Sequence, residues 1–252
     1  PDTNTELKEN SQTPEFLNAY IETDKAIYSP GDEVTFSINS ATLPATAKVR
    51  YKYLGEVIEE AELNGITWKW KTPGNNFRGY MAEVYDLNDG REIVYATIAV
   101  DVSSSWTKFP RYGFLSDYSQ LSDETIHKVI RNLSRHHING IQFYDWHNKH
   151  HQPMPTDGTK PLSVWKDIAN RDIYFNTVEK YINSAHTRNI KAMFYNLVFG
   201  AWKNAEADGV KKEWYAYKDA GHINREVMTL PSPPFLSNIF LLNPANTQWQ
   251  EY

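Results

Sequence analysis

The sequence predicts a multidomain chain in which an all-β, immunoglobulin-like sandwich precedes the first part, about three βα units, of a (β/α)8 barrel. Three observations carry this expectation. Short alternating segments separated by turn residues fill residues 17–104. From residue 105 onward, strand-like runs take turns with helix-period runs. The run Ile138–Phe143 then ends abruptly in Tyr144, Asp145, Trp146 and His147, as a buried strand does where it reaches a site.

Residues 1–16 read as a polar linker, rich in Thr, Asn, Glu and Ser. In the sandwich, the turn signal Tyr28-Ser-Pro-Gly-Asp32 leads into Val34, Phe36 and Ile38, which share one face of a strand. Further strands are expected at Ala47–Tyr53, Thr67–Trp70, Gly79–Asp86 and Glu92–Val102. Asn64-Gly65, Pro73–Asn76 and Asn88-Asp89-Gly90 turn the chain between them. No catalytic cluster stands out here, and a spacer or support role is expected.

The polar stretch Ser103–Pro110 marks the boundary. Arg111–Leu115 is the next strand, followed by Ser116-Asp117-Tyr118. Ser122 offers an N-cap to a helix whose stripe is Ile126, Val129, Ile130 and Leu133. Ile138–Tyr144 is the second strand, and a long loop runs to about Asn170. Arg171–Arg188 is expected as a second helix and Ile190–Asn196 as a third strand, ending in Tyr195 and Asn196. After an irregular excursion over 197–238, Ile239–Leu242 precedes Asn243 and Pro244, read as N-cap and first position of a third helix. A (β/α)8 barrel takes about 250 residues, so residues 105–252 supply only its N-terminal part. The rest of the barrel, in the same chain or a separate one, is an expected partner.

Composition narrows the function. A net charge of −5 offers no basic field for nucleic acid. With no cysteine, disulfide frameworks and thiolate chemistry are excluded. No apolar run reaches the length of a membrane span. The polar N-terminus resembles the start of an exported bacterial protein after removal of its signal segment, so a secreted, cell-surface or periplasmic location is expected. Eight Trp and 16 Tyr suit carbohydrate stacking as well as a large core.

Asp145 between Tyr144 and Trp146 suits a sugar, since rings stack on its apolar face and a carboxylate accepts from its hydroxyls; an ordinary polar turn accounts for the run equally well. His147, His150 and His151 do not match a helix-borne zinc spacing and read as a solvated or hydrogen-bonded loop, with His147 near enough to Asp145 to touch sugar. No metal or cofactor is expected. The pair Asp123-Glu124 opens a helix, the pair Glu59-Glu60 falls in a sandwich loop, and Asp167, Lys211 and Lys212 read as solvated surface. Neither a phosphate-binding glycine loop nor a Gly-x-Ser-x-Gly elbow is present.

Pro110–Tyr118, Asn139–His150, Ala192–Trp202 and Leu242–Tyr252 together resemble glycoside hydrolase family 66, which holds the dextranases and the cycloisomaltooligosaccharide glucanotransferases. The Tyr-Asp-Trp-His run is fairly specific; the Asn-Pro-x-Asn at 243–246 is weak. The resemblance covers Ser105 to Tyr252, and the family's immunoglobulin-like domain ahead of its barrel agrees with the sandwich. It implies endo-hydrolysis of α-1,6-glucosidic bonds in dextran with retention, by two carboxyl groups about 5–5.5 Å apart. The nucleophilic Asp and the acid Glu are expected beyond Tyr252, so no catalytic carboxylate is assigned in this chain. What remains is substrate binding. Tyr144 and Asp145 match positions lining the subsite on the non-reducing side of the cleaved bond. Tyr195 and Asn196 should face the same mouth, Trp202 could stack on a further glucose, and Trp146 and Asp117 could touch sugar or support the loop. The expected ligands are dextran and isomaltooligosaccharides. A cyclising glucanotransferase of the same family, or a non-catalytic carbohydrate-binding protein, are the alternatives.

Overall fold

The computed structural model describes residues 19–40 and 43–252, so the polar segment expected over 1–16 lies outside the described residues. The chain divides into two compact units, 1–109 and 110–252.

In the first unit the strands are β1 (Ile21–Thr23), β2 (Glu33–Ile38), β3 (Lys48–Tyr53), β4 (Glu56–Glu62), β5 (Thr67–Lys71), β6 (Arg78–Asn88) and β7 (Arg91–Val102). They form two antiparallel sheets, ordered β1-β2-β5 and β4-β3-β6-β7. Strand alternation decides what goes inside. Val34, Phe36 and Ile38 of β2 and Val49 and Tyr51 of β3 join Trp70, Tyr80, Ala82, Val84 and Val100 in one core shared by both sheets. Aromatic rings fill it: Tyr51 stacks on Trp70 at 4.3 Å and Phe36 on Trp68 at 5.1 Å.

One expectation is corrected here. Glu59 and Glu60 do not sit in a loop but in β4, the edge strand of the larger sheet, exposed along its whole length. Four Glu among seven residues hide β4 from hydrophobic pattern reading, and charge of this kind keeps a sheet edge from pairing with another chain. Glu60 also accepts from the Tyr85 hydroxyl, and Glu59 from Trp70 Nε1 at 2.8 Å.

The second unit is built on β8 (Tyr112–Leu115), α1 (Asp123–Arg135), β9 (Gly140–Phe143), α2 (Phe175–Thr187) and β12 (Lys191–Phe194), with a hairpin of β10 (Val164–Lys166) and β11 (Asp172–Tyr174) inserted before α2. Strands β8, β9 and β12 form a parallel sheet ordered β12-β9-β8. Ser122 caps α1 by accepting from the Thr125 amide at 3.2 Å, and Ile126 and Ile130 are buried beneath the helix. Helix α2 buries Val178, Tyr181 and Ala185. Gly113 is needed where β8 runs under the end of α1: a Cβ there would meet Ile138 Cγ2 at 2.9 Å.

The two faces of this sheet differ. Ile141 and Phe143 are fully buried on one face, while Tyr112 and Phe114 on the other are 62% and 68% exposed. The outer edges of β8 and β12 carry no further strand among the described residues. A second small sheet, ordered β13-β15-β14, is made by β13 (Gly200–Ala201), β14 (Val227–Met228) and β15 (Ile239–Leu241). A short α3 (Thr247–Glu251) follows.

Two boundaries move. The second helix begins at Phe175, not Arg171, because Asp172–Tyr174 pair with Val164–Lys166 instead of starting a helix. The third begins at Thr247 with Asn246 as its N-cap, accepting from the Trp249 amide at 3.1 Å; Asn243 and Pro244 belong to the preceding turn.

Candidate functional site

The parallel register aligns three strand ends. Leu115, Phe143 and Phe194 are partners across the sheet, and the ladder continues one step, with the Tyr144 amide donating to Leu115 O at 2.9 Å and the Tyr195 amide to Phe143 O at 3.1 Å. The residues that follow each strand therefore stand at one level. Asp117 follows β8, Tyr144 and Asp145 follow β9, and Tyr195 and Asn196 follow β12.

Alternation along β9 and β12 places Tyr144 and Tyr195 on the open face with Phe114. Their rings lie 4.8 Å apart at 35°, and Tyr144 meets Phe114 edge-on at 6.3 Å. Tyr144 is 41% exposed, so one aromatic surface faces outward at the sheet's C-terminal end. Asp145 turns the chain there in the left-handed region, at φ +51°, a conformation Asp tolerates better than most residues. Its carboxyl is half-buried. Burial lifts its proton affinity, Arg171 pulls it back, and Asp167 adds to the rise, leaving it above the usual carboxylate range.

Trp146 and His147 lie behind this rim. Trp146 is buried, donates from Nε1 to Tyr195 O at 3.0 Å and packs on Phe194 at 4.3 Å, tying the end of β9 to that of β12. His147 is 1% exposed and lies edge-on to His150 at 4.6 Å. The three histidines of this segment are thus buried and not solvated, and of the two readings, solvated or hydrogen-bonded, His150 and His151 take the second. His150 accepts from Trp202 Nε1 at 3.1 Å, and His151 Nε2 contacts Asp208 Oδ2 at 2.9 Å. Burial drives the imidazoles toward the neutral form, His147 to about 4 and His150 to about 3. Both ring nitrogens of His147 and the Oδ1 of Asn196 are buried without a protein partner. Among the described residues, no group of three or more His, Asp and Glu is placed to hold a metal ion.

Trp202 is corrected as well. By sequence it could stack on a further glucose, but it is 7% exposed and packed with Ile168 and Ile239, so its faces are already covered. Asp117 is exposed and accepts from the Ser119 amide at 3.0 Å, shaping the turn after β8.

Sequence reading missed Arg171 and Asp167. Asp167, read as solvated, is fully buried: its Oδ2 accepts from Arg171 Nε at 2.6 Å and its Oδ1 from the Arg171 amide at 2.8 Å. Arg171 Nη2 then reaches Asp145 Oδ2 at 3.4 Å. The turn between them has Asn170 at φ +64°, and the run Asp167-Ile-Ala-Asn-Arg171 is the signal that could have suggested a hairpin in place of a helix start.

Comparison with known proteins fits this geometry. Two curated relatives from Niallia circulans, both named cycloisomaltooligosaccharide glucanotransferase, are each 29% identical, over 246 and 259 residues, or 91% and 96% of this chain. The chain spans about a quarter of their length, 25% and 26%. A crystal structure of the Paenibacillus sp. enzyme of the same name, complexed with cycloisomaltoheptaose, matches with a TM-score of 0.82 at 28% identity, covering 92% of this chain and 35% of that one. The family model of glycosyl hydrolase family 66 matches residues 23–252. That match runs through both compact units and takes in every strand end described above, and the chain belongs to glycosyl hydrolase family 66.

Proposed function

We propose that this chain forms part of an enzyme acting on α-1,6-linked glucan, and that its aligned strand ends hold glucose units beside the scissile bond. One observation carries the reading: the Tyr144–Tyr195 ring pair and the Asp145 carboxyl stand together at the C-terminal end of adjacent parallel strands. Exposed aromatic surface suits the C–H face of a pyranose, and a carboxylate accepts hydrogen bonds from its hydroxyls. The open face carrying Tyr112 and Phe114 suits the interior of a larger barrel, since parallel sheets are normally covered on both sides. The sandwich is proposed as a support domain.

The reaction we propose is retaining. One carboxylate attacks the anomeric carbon while a carboxylic acid protonates the leaving oxygen, and the glycosyl-enzyme is then resolved by an acceptor. We place that carboxylate pair outside these residues. Water as acceptor gives a dextranase; the glucan's own distal hydroxyl gives a ring. The second outcome is favoured by the names of the Niallia and Paenibacillus relatives. The test is to incubate the full-length protein with dextran and weigh the products. Rings are lighter than linear oligosaccharides of the same length by one water, so mass spectrometry separates the two. Binding with no product at all would instead identify a carbohydrate-binding protein.

A further inference from the structure

We propose that Arg171 is a positioning residue: gripped by the buried Asp167, its guanidinium fixes the orientation of the Asp145 carboxylate at the mouth of the sheet. This rests on the reading of Asp145 as a sugar-binding group. An exposed arginine is ordinarily mobile, yet this one is held at two points by one carboxylate. Asp167 accepts from its side-chain Nε at 2.6 Å and from its backbone amide at 2.8 Å, while Asp167 itself donates its amide to Arg171 O at 3.0 Å. The planar guanidinium then has only its outer edge free, and that edge is turned to Asp145, with Nη2 3.4 Å from Oδ2. Asp145 needs such a hold. It follows the last residue of the strand ladder, its backbone is left-handed, and its carboxyl is partly withdrawn from water.

Arg171 also lines a cleft of about 390 Å³ with Ser116 and Asp117, at the end of β8. It therefore joins the hairpin β10–β11 to the neighbourhood of two strand ends. The groups facing Asp145 are Arg171 and Asp167 from the hairpin turn, the Tyr118 phenol from the segment after β8, and the Tyr195 phenol from the end of β12. Of these only Arg171 is cationic. Removing it should let Asp145 take up a proton at higher pH and swing away from its present orientation.

The experiment compares Arg171→Met, Arg171→Lys and Asp167→Asn in the full-length protein, with circular dichroism to confirm folding. Isomaltooligosaccharide binding is measured by calorimetry across the acidic range, and the Asp145 carboxyl is followed separately by carbon NMR titration. Arg171→Met should weaken binding by about tenfold or more, a loss of roughly 1.4 kcal/mol. It should also move the acid limb of binding, and the Asp145 titration, to higher pH. Arg171→Lys should recover part of both, and Asp167→Asn should reproduce both in milder form. Binding lost with the acid limb and the NMR titration unmoved, and with no rescue by lysine, would overturn the proposal. So would an Arg171→Met variant that binds like wild type. If no sugar binds even the wild type, but the Asp145 titration still moves, the positioning role stands and the sugar-site reading fails.

Discussion

The two compact units answer the same physical demands in different ways. In the sandwich, alternating residues of both sheets close on one aromatic-rich core, and the buried carboxylate Glu83 is paired twice, with Arg50 at 2.6 Å and Lys52 at 2.7 Å. The α/β unit buries one face of its parallel sheet and leaves aromatic rings on the other. It also withdraws three histidines and Asp167 from water. Both units bury ionisable groups, but in the second unit His147 and Asp167 lie beside the strand-end residues Trp146 and Asp145, and departures from ideal packing and polarity are expected to mark function. The two units should therefore be separable: damage to the sandwich should cost stability, and damage at the strand ends should cost binding.

The largest effect is expected in the sandwich core. Phe36 is fully buried and stacks on Trp68. Phe36→Ala should cost the first unit about 3–5 kcal/mol, because the lost transfer energy is joined by the cavity left behind. Denaturant titration of the full-length protein, read by a probe in each unit, checks this. If glucan affinity under native conditions falls together with the first unit's stability, the two units are not separable in the way the comparison requires.

Acid should sharpen the contrast. All 8 histidines lie after residue 110, and the buried ones are held neutral, His147 at about 4 and His150 at about 3. An imidazole whose folded pKa is depressed binds fewer protons in the native state than in the unfolded one. Stability is therefore complete above the ordinary value of 6.5 and falls as pH drops from there toward about 4. His147 alone should account for on the order of 3 kcal/mol across that window. In the sandwich, burial opposes ionisation of Glu83, but Lys52 and Arg50 outweigh it and hold its pKa below the ordinary carboxylate value. Its contribution is present above about 4.5 and is lost only at lower pH. Thermal melts on an acid series should show the second unit weakening first, and His147→Gln should flatten its dependence.

Much of this architecture was legible because it follows period. Val34, Phe36 and Ile38 alternate, Ile126 and Ile130 share a helical stripe, and both patterns are enforced by burial. The strand ends were legible too, since an apolar run that stops at Tyr144 and Asp145 leaves little doubt where the sheet ends. What was not legible depends on partners distant in sequence. Asp167 looks like surface until Arg171 folds back on it across a hairpin, and Trp202 looks like a stacking platform until Ile168 and Ile239 cover it. His150 and His151 are buried by Trp202 and Asp208, which lie 52 and 57 residues away in sequence. Strand β4 was hidden for the opposite reason: an edge strand defended by glutamates has no hydrophobic alternation to read.

At the strand end itself, stability and binding should move in opposite directions. Asp145→Asn keeps a side chain that accepts the left-handed backbone, and removes a carboxylate that burial disfavours. The second unit should be unchanged or stabilised by up to about 1 kcal/mol. Isomaltooligosaccharide affinity should nonetheless drop by about tenfold or more, since charge-assisted hydrogen bonds to sugar hydroxyls are lost. Parallel calorimetric and thermal measurements decide it; a variant that loses both stability and affinity would mean that Asp145 serves the fold first.

The smallest effect tests the same separation away from the strand ends. Ser122 satisfies the Thr125 amide at the start of α1, whose buried face covers the sheet. Ser122→Ala removes that acceptor and should cost about 1 kcal/mol, whereas Ser122→Asp retains an acceptor, adds negative charge at the helix N-terminus and should restore it. Helix α1 sits on the buried face of the sheet, opposite the face that carries Tyr144 and Tyr195, so neither variant should alter glucan affinity. A matched change in affinity from so remote a cap would show that the strand-end rim is held by the helical layer as much as by the ladder of β8, β9 and β12.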